Sequence, residues 1–256
     1  WVNFGACLIR CAPELLAEGR TQALKKWLGV LPPETIESSP WLLYWQANVR
    51  LGQNAHDTRA LFERVIVRFR ETGDAPGAQL AWCNIVNSIL QERTNFAALR
   101  DWIAAYATLP AAPAGESDAP VIVSMLNAMV LVQPAHPDIN LWSERALRLL
   151  RSRAKANLRF GAGSYLLMRH VLSGEPARAA PVLRLLEEAL RSSQVAPLVQ
   201  LHGQTSIALC HWLSGAPAAA LTTIHDALCL AQTTGVHLCD AQLLAQRHLA
   251  RLHQPV

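Results

Sequence analysis

Histidine and cysteine side chains towards the C-terminal end of the sequence carry its clearest metal-binding chemistry. His225 and Cys229 stand at i and i+4, and Cys210-His211 and His237-x-Cys239 lie on either side of them. Zinc takes such nitrogen and sulfur ligands, and helix packing could bring three of them together. The sequence has no C-x-x-C or H-x-x-x-H pair, however. We therefore predict no metal site and no cofactor, and cysteines that fill tight contacts between helices.

Sequence motifs of enzymes give no support for catalysis. There is no G-x-S-x-G nucleophile elbow and no H-E-x-x-H zinc motif. The segment Gly161–Ser164 is rich in glycine, but no strand precedes it and a third glycine is missing. It predicts the start of a helix with small residues for close packing. The sequence therefore predicts a protein that is not an enzyme.

Polar residues recur at matching positions on otherwise apolar helices. Asn84, Ser88 and Gln91 form one stripe at i, i+4 and i+7, and burying such a stripe is unfavourable unless it faces water or a ligand. The stripe is either part of a binding groove or an ordinary solvated groove wall. Counting back from turns such as Gly52, Thr94 and Gly215 gives equivalent positions on the other helices. The resulting candidate groove residues are Gln46, Asn84, Ser88, Gln91, Ser124, Ser164, Met168, His202, Thr205 and Trp212.

A repeating helix pair positions these residues. Its clearest copy is Leu213–Gly235, in which Ala220, Leu221, Ile224, Ala227, Leu228 and Ala231 form one apolar face. The second helices of the pairs start near Asp57, Phe96, Pro137, Pro176 and Ala216, at intervals of about 39 to 41 residues. The first helices are predicted at 41–51, 77–92, 120–133, 160–173, 197–213 and 238–252. This period predicts an all-α, TPR-like superhelical solenoid, whose concave side is formed by the first helices.

Composition limits the domain organisation and the partners. The 256 residues are 51% hydrophobic, which suffices for a single helical-repeat domain over 1–256, and segment 110–120 is a candidate flexible joint. The net charge of +4 is small, and the arginines from Arg145 to Arg159 wind around a helix, so we expect no direct nucleic-acid contact. No apolar run is long enough for a membrane span. Six sparse cysteines favour reduced thiols and a cytoplasmic protein.

The first quarter of the sequence resembles a known helical-repeat region. The residues that carry the resemblance are Gly19-Arg20, Leu24, Trp27-Leu28, Leu31-Pro32, Glu34, Pro40–Leu42 and Ala47–Gly52. They are similar to the start of the repeats in the large ATP-binding LuxR-type transcriptional regulators, a STAND-class family that includes the maltose-regulon activator. The period and the phrase L-S-G-x-P-x-x-A-L at Leu213–Leu221 extend the resemblance over most of the chain.

In that family an ATPase module precedes the repeats and a DNA-binding helix-turn-helix domain usually follows. The sequence has no G-x-x-x-x-G-K-[ST] phosphate loop, so the resemblance implies the middle role. That role is a non-catalytic sensor that binds a small-molecule inducer, a peptide or a protein in its concave groove and relays binding to an attached ATPase and DNA-binding module. The alternative is a protein-protein interaction scaffold whose groove holds a partner's helix or tail without a small ligand.

Overall fold

The protein is all-helical in the part that the structure describes. The computed structural model describes residues 1–17, 20–51, 55–92, 95–112, 118–192 and 195–252. These residues contain fourteen α-helices, one 3-10 turn at Phe96–Ala98 and no strand. The helices are α1 (Val2–Ala17), α2 (Thr21–Leu28), α3 (Pro33–Glu37), α4 (Pro40–Leu51), α5 (Ala55–Glu71), α6 (Ala75–Glu92), α7 (Leu99–Tyr106), α8 (Asp118–Val132), α9 (Ile139–Arg151), α10 (Ala156–Leu172), α11 (Pro176–Ser192), α12 (Pro197–Leu213), α13 (Pro217–Thr234) and α14 (Asp240–Leu252). The all-α prediction is confirmed.

Proline and glycine fix the ends of several helices. Pro197 and Pro217 lie in the first turns of α12 and α13, where a missing N–H is tolerated. Gly235 follows α13 with φ +70°, a left-handed conformation that glycine adopts readily and that ends the helix. The sequence predicted α12 at its observed bounds and placed α13 within one residue of its observed start. Gly19, Gly52 and Thr94, which the sequence marks as helix ends or turns, lie outside the described residues.

Two local predictions differ from the structure. The sequence predicts a connector after Pro32-Pro33, but Pro33 begins the short helix α3, because a proline is compatible with the first turn of a helix. The glycine-rich segment Gly161–Ser164 lies inside α10 and does not start it. Its predicted close packing is observed, since a Cβ on Gly163 would lie 2.8 Å from Leu186 Cδ2 and 2.9 Å from Leu150 Cδ1.

The chain divides into two compact units, Trp1–Ser124 and Met125–Val256. The boundary falls within α8, after the predicted joint at 110–120, of which residues 113–117 lie outside the described part of the chain. That the repeats form one domain stays a prediction. None of the helices in the described residues combines the length and apolar character needed to cross a membrane.

The first unit is built around an aromatic cluster on α4 and α5. Trp41, Tyr44, Trp45, Phe62 and Phe69 contact one another at ring-centroid distances between 4.8 and 6.3 Å. Aromatic rings bury large apolar areas and favour tilted contacts of this kind. The cluster joins α4 to α5, and α6 packs against both helices.

In the second unit, two of the long helices each pack against several others. Helix α10 packs against α9, α11 and α12, and α12 packs against α13 and α14. Of the apolar face predicted on α13, Ala220, Ile224, Ala227 and Ala231 are buried. The other two members of that face, the leucines at 221 and 228, are half-buried. Small residues on this face let the helices of the unit approach closely, and the same residues supply its core.

Candidate ligand-binding cleft

Four of the predicted groove residues are buried inside the protein. Ser88, Ser124, Ser164 and Thr205 have exposed fractions of 0 to 3%. Three of these hydroxyls donate to carbonyls of their own helix: Ser88 to Ile85 at 2.7 Å, Ser164 to Phe160 at 2.8 Å and Thr205 to His202 at 2.7 Å. Ser124 hydrogen-bonds with the Cys83 thiol. A small hydroxyl with a hydrogen-bond partner inside the protein can be buried without a ligand, and ligand binding by these four residues stays a prediction.

Two residues of the polar stripe on α6, Asn84 and Ser88, hydrogen-bond with neighbouring helices. Asn84 Nδ2 donates to Tyr44 Oη and to Asn48 Oδ1, both at 3.1 Å, and so joins α6 to α4. Burial raises the pKa of Tyr44 to about 12, so its phenol is neutral and accepts this bond. Ser88 also accepts from Arg59 Nε at 3.4 Å. The partners of Asn84 and Ser88 are thus side chains of the same unit, whereas Gln91 is exposed.

The other five predicted groove residues are at least partly accessible. Gln91 is exposed, and Met168 and Trp212 are half-buried. Gln46 lines a separate cavity of about 240 Å³ beside α2 and α3. His202 is half-buried, with Nδ1 at 3.8 Å from Cys239 Sγ. Five of the ten candidates belong to each compact unit, and ligand binding by the set stays a prediction.

The C-terminal histidines and cysteines that the sequence analysis weighed as zinc ligands lie at most in pairs among the described residues. His225 Nε2 lies 3.7 Å from Cys229 Sγ on the exposed side of α13. His211 lies beside Glu187, with Nε2 at 3.6 Å from Oε1. In the described ranges, no group of three or more histidine, cysteine, aspartate or glutamate side chains could hold a metal ion. All six cysteines are free thiols.

A cavity in the second unit lies between α9, α10 and α11. Its volume is about 580 Å³. Helix α9 contributes one face at i, i+3, i+4, i+7 and i+11, which is Asn140, Ser143, Glu144, Leu147 and Arg151. The other two helices contribute Leu166, Arg169 and His170 from α10 and Ala177, Arg178, Pro181 and Val182 from α11. We call this cavity the α9–α11 cleft.

The cleft has an apolar floor and a charged rim. Leu166 and Val182 are buried at its base, and Leu147 is half-buried beside them. Arg151 and Arg178 are exposed at the rim, and Arg169 is half-buried. A concave, mostly apolar surface with a few converging polar groups is the usual form of a small-molecule site.

Hydrogen bonds hold the polar groups at one end of the cleft. Arg169 Nη2 donates to Asn140 Oδ1 at 2.7 Å, which joins α10 to α9. His170 Nδ1 lies 2.8 Å from Glu175 Oε2, and Arg178 Nη1 lies 3.3 Å from Glu175 Oε1. Glu175 is placed by the turn after α10, where its N–H donates to the His170 carbonyl at 2.8 Å. Two arginines are therefore held in position where α10 ends and α11 begins.

Electrostatics make the cleft positive. Arg151, Arg169 and Arg178 line it, against the single carboxylate of Glu144 among the lining residues. Burial lowers the pKa of His170 below its usual value, so this imidazole is neutral at pH 7. The hydrogen bond from His170 lowers the pKa of Glu175, whose carboxylate accepts it, and His170 Nδ1 is therefore the protonated nitrogen.

None of the cleft residues belongs to the set that the sequence selected. Comparisons of the chain with protein-family models, with curated proteins and with solved structures find no match. The resemblance to LuxR-type regulators therefore stays a prediction. One usable signal is the spacing of Asn140, Glu144, Leu147 and Arg151, a mixed polar and apolar face on α9. Arg169 and Arg178 have no signal of their own, because only the packing of α10 and α11 brings them to this face.

Proposed function

We propose that the chain is a non-catalytic sensor module that binds a small molecule in the α9–α11 cleft. The cleft itself carries the proposal. Its volume of about 580 Å³ lies within the range of small-molecule sites, and three helices contribute both apolar and charged side chains to it. Among its lining residues, His170 is buried and tied to Glu175, which favours a structural role for this imidazole over proton transfer.

The architecture that supports sensing is a TPR-like superhelix. In the second unit, α10 packs on α12 and α12 on α14, two helices further along the chain each time. Together with the period of about 40 residues, this arrangement favours a stack of helix pairs over an irregular bundle. Each pair in such a stack contacts its neighbours, so a ligand between α9 and α11 would bias the spacing of adjacent pairs. We propose that this change is relayed to an attached ATPase and DNA-binding module of the LuxR type.

A thermal-shift screen with a broad metabolite panel tests the proposal. The cleft is blocked with Ala177→Trp, which places an indole on an exposed residue of its lining. Ala180→Trp is the matched control, because Ala180 is exposed in the same part of α11 and does not line the cleft. Ligands should stabilise the wild type and the control but not the blocked variant. A panel with no compound that behaves in this way contradicts the proposal.

The interaction scaffold is the second candidate, and α14 favours it. Leu244, Leu249 and Leu252 are exposed by 44, 39 and 67%. Several exposed leucines on one helix suit a protein partner. Pull-down from the native host tests this candidate. A stable partner lost on Leu244→Gln with Leu252→Gln favours the scaffold, whereas a partner retained by that variant contradicts docking on α14.

A further inference from the structure

We propose that the ligand of the α9–α11 cleft is an amphiphilic carboxylate, whose carboxylate contacts Arg169 and Arg178 and whose hydrocarbon part lies on Leu147, Leu166 and Val182. This inference rests on the proposed function, and it adds the chemical class of the ligand.

Arg169 carries an unsatisfied hydrogen-bond donor. Arg169 lines the cleft, its Nη2 donates to Asn140, and its buried Nε has no hydrogen-bond partner in the part of the chain that the structure describes. A buried N–H without an acceptor is unfavourable, and a guanidinium presents its N–H groups as a fork that matches a carboxylate. A small movement of the Arg169 side chain would present this N–H to a ligand carboxylate at this end of the cleft, which would accept the missing hydrogen bond.

Further positive groups lie at the same end of the cleft as Arg169. Arg178 shares Glu175 with His170, and its side chain remains 64% exposed at the rim. The first turn of α11 also lies here, since Ala177 is part of the lining, and the amino end of a long helix favours an anion. Guanidinium groups and the helix end together favour a negative ligand group at this place.

The lining of the cleft also offers an apolar surface to the remainder of the ligand. Leu147, Leu166, Pro181 and Val182 form a continuous apolar part of the lining beside the arginines. An inorganic anion would leave this surface uncovered, whereas a hydrocarbon chain attached to the carboxylate would cover it. The pairing of one anion-binding end with an apolar floor therefore favours an amphiphilic acid over phosphate.

Isothermal titration of octanoate at pH 7.5 tests the assignment, with octanamide, octylamine and inorganic phosphate as comparison ligands. Octanoate should bind at least tenfold more tightly than each of the other three. Arg169→Gln should weaken the binding of octanoate at least tenfold, and Arg178→Gln should weaken it several-fold. Arg148→Gln removes the same charge from an exposed residue of α9 that does not line the cleft, and it should change the affinity less than threefold.

A loss of binding is informative only in a variant that is folded. Melting curves show whether Arg169→Gln is folded; if it is not, Arg178→Gln carries the test, because its exposed side chain can be replaced without loss of core. Equal binding of octanoate and octanamide, or no loss of affinity in the arginine variants, overturns the carboxylate assignment. A neutral or cationic compound that binds the wild type but not Ala177→Trp, without octanoate binding, overturns this inference and leaves the sensor proposal standing. If no compound binds the wild type in a way that Ala177→Trp abolishes, both the carboxylate inference and the sensor proposal are overturned.

Discussion

Gly203→Ala should destabilise the protein, although alanine is the better helix former. Gly203 lies on α12 against the buried ring of Phe160 on α10. A Cβ at this position would lie 2.0 Å from Phe160 Cε1, 2.5 Å from its Cζ and 2.8 Å from Ser164 Oγ. Carbon atoms in contact prefer separations of about 3.5 to 4.0 Å, so the ring or one of the helices must move.

The expected size follows from two opposing effects. Replacing a helical glycine with alanine contributes about 1 kcal/mol of stability. Overpacking a close-packed core costs about 1 to 3 kcal/mol, and this contact requires the upper end of that range. The net loss in the free energy of unfolding is therefore about 2 kcal/mol, which lowers the melting temperature of a chain of this size by roughly 4 to 8 °C.

Urea denaturation and calorimetry of three proteins measure this effect. Gly29→Ala is the control, because Gly29 has a right-handed backbone with φ −68° and its added Cβ would lie 3.4 Å from the nearest atom. The control should match or exceed the wild type in stability. A double-mutant cycle with Phe160→Leu should recover at least 1 kcal/mol of coupling, about the level expected for residues in contact. Full stability of Gly203→Ala would refute the α10–α12 contact.

Three further predictions concern the polar stripe, the buried histidine and the core. Asn84→Ala should lower the free energy of unfolding by about 1 to 2 kcal/mol, because it breaks bonds between α4 and α6, whereas Gln91→Ala on the exposed side should change it by less than about 0.5 kcal/mol in urea denaturation. The stability of the wild type relative to His170→Asn should be greatest above pH 6.5 and should fall as the pH is lowered to 5.5. The reason is that the unfolded chain protonates this imidazole before the folded chain does. Equal stability differences at the two pH values in urea titrations would contradict the lowered pKa. Ile224→Ala, at a fully buried site, should cost about 2 to 5 kcal/mol, and the half-buried Leu221→Ala clearly less; calorimetry that shows equal losses would contradict the burial pattern.

Helix positions could be predicted because local signals mark them. Pro197 and Pro217 mark the starts of α12 and α13, and Gly235 marks the end of α13, all by backbone constraints that act within one turn. Helix α3 was missed because the same proline chemistry that ends one helix also begins the next. Local rules therefore give element bounds but do not choose between a connector and a short helix.

The candidate site was less predictable because its residues meet through packing. The stripe of Asn84 and Ser88 has the pattern of a binding surface, but Tyr44, Asn48 and Arg59 from other helices take up its hydrogen bonds. No spacing rule reports such partners. The residues of the α9–α11 cleft, by contrast, do not have the sequence pattern of a binding surface. In the sequence, its apolar lining residues look like ordinary core residues and its arginines look like ordinary surface residues. The two groups come together only because α9, α10 and α11 pack side by side.

Chemical-shift mapping of leucine and valine methyl groups tests the central claim most directly, namely that the ligand binds between α9, α10 and α11. The protein is labelled at these methyls and titrated with octanoate at pH 7.5. The largest shifts should occur at Leu147, Leu166 and Val182, and Ala177→Trp should abolish them. Shifts centred instead on α12 beside His202 would place the ligand in the groove first predicted from the sequence and contradict the cleft.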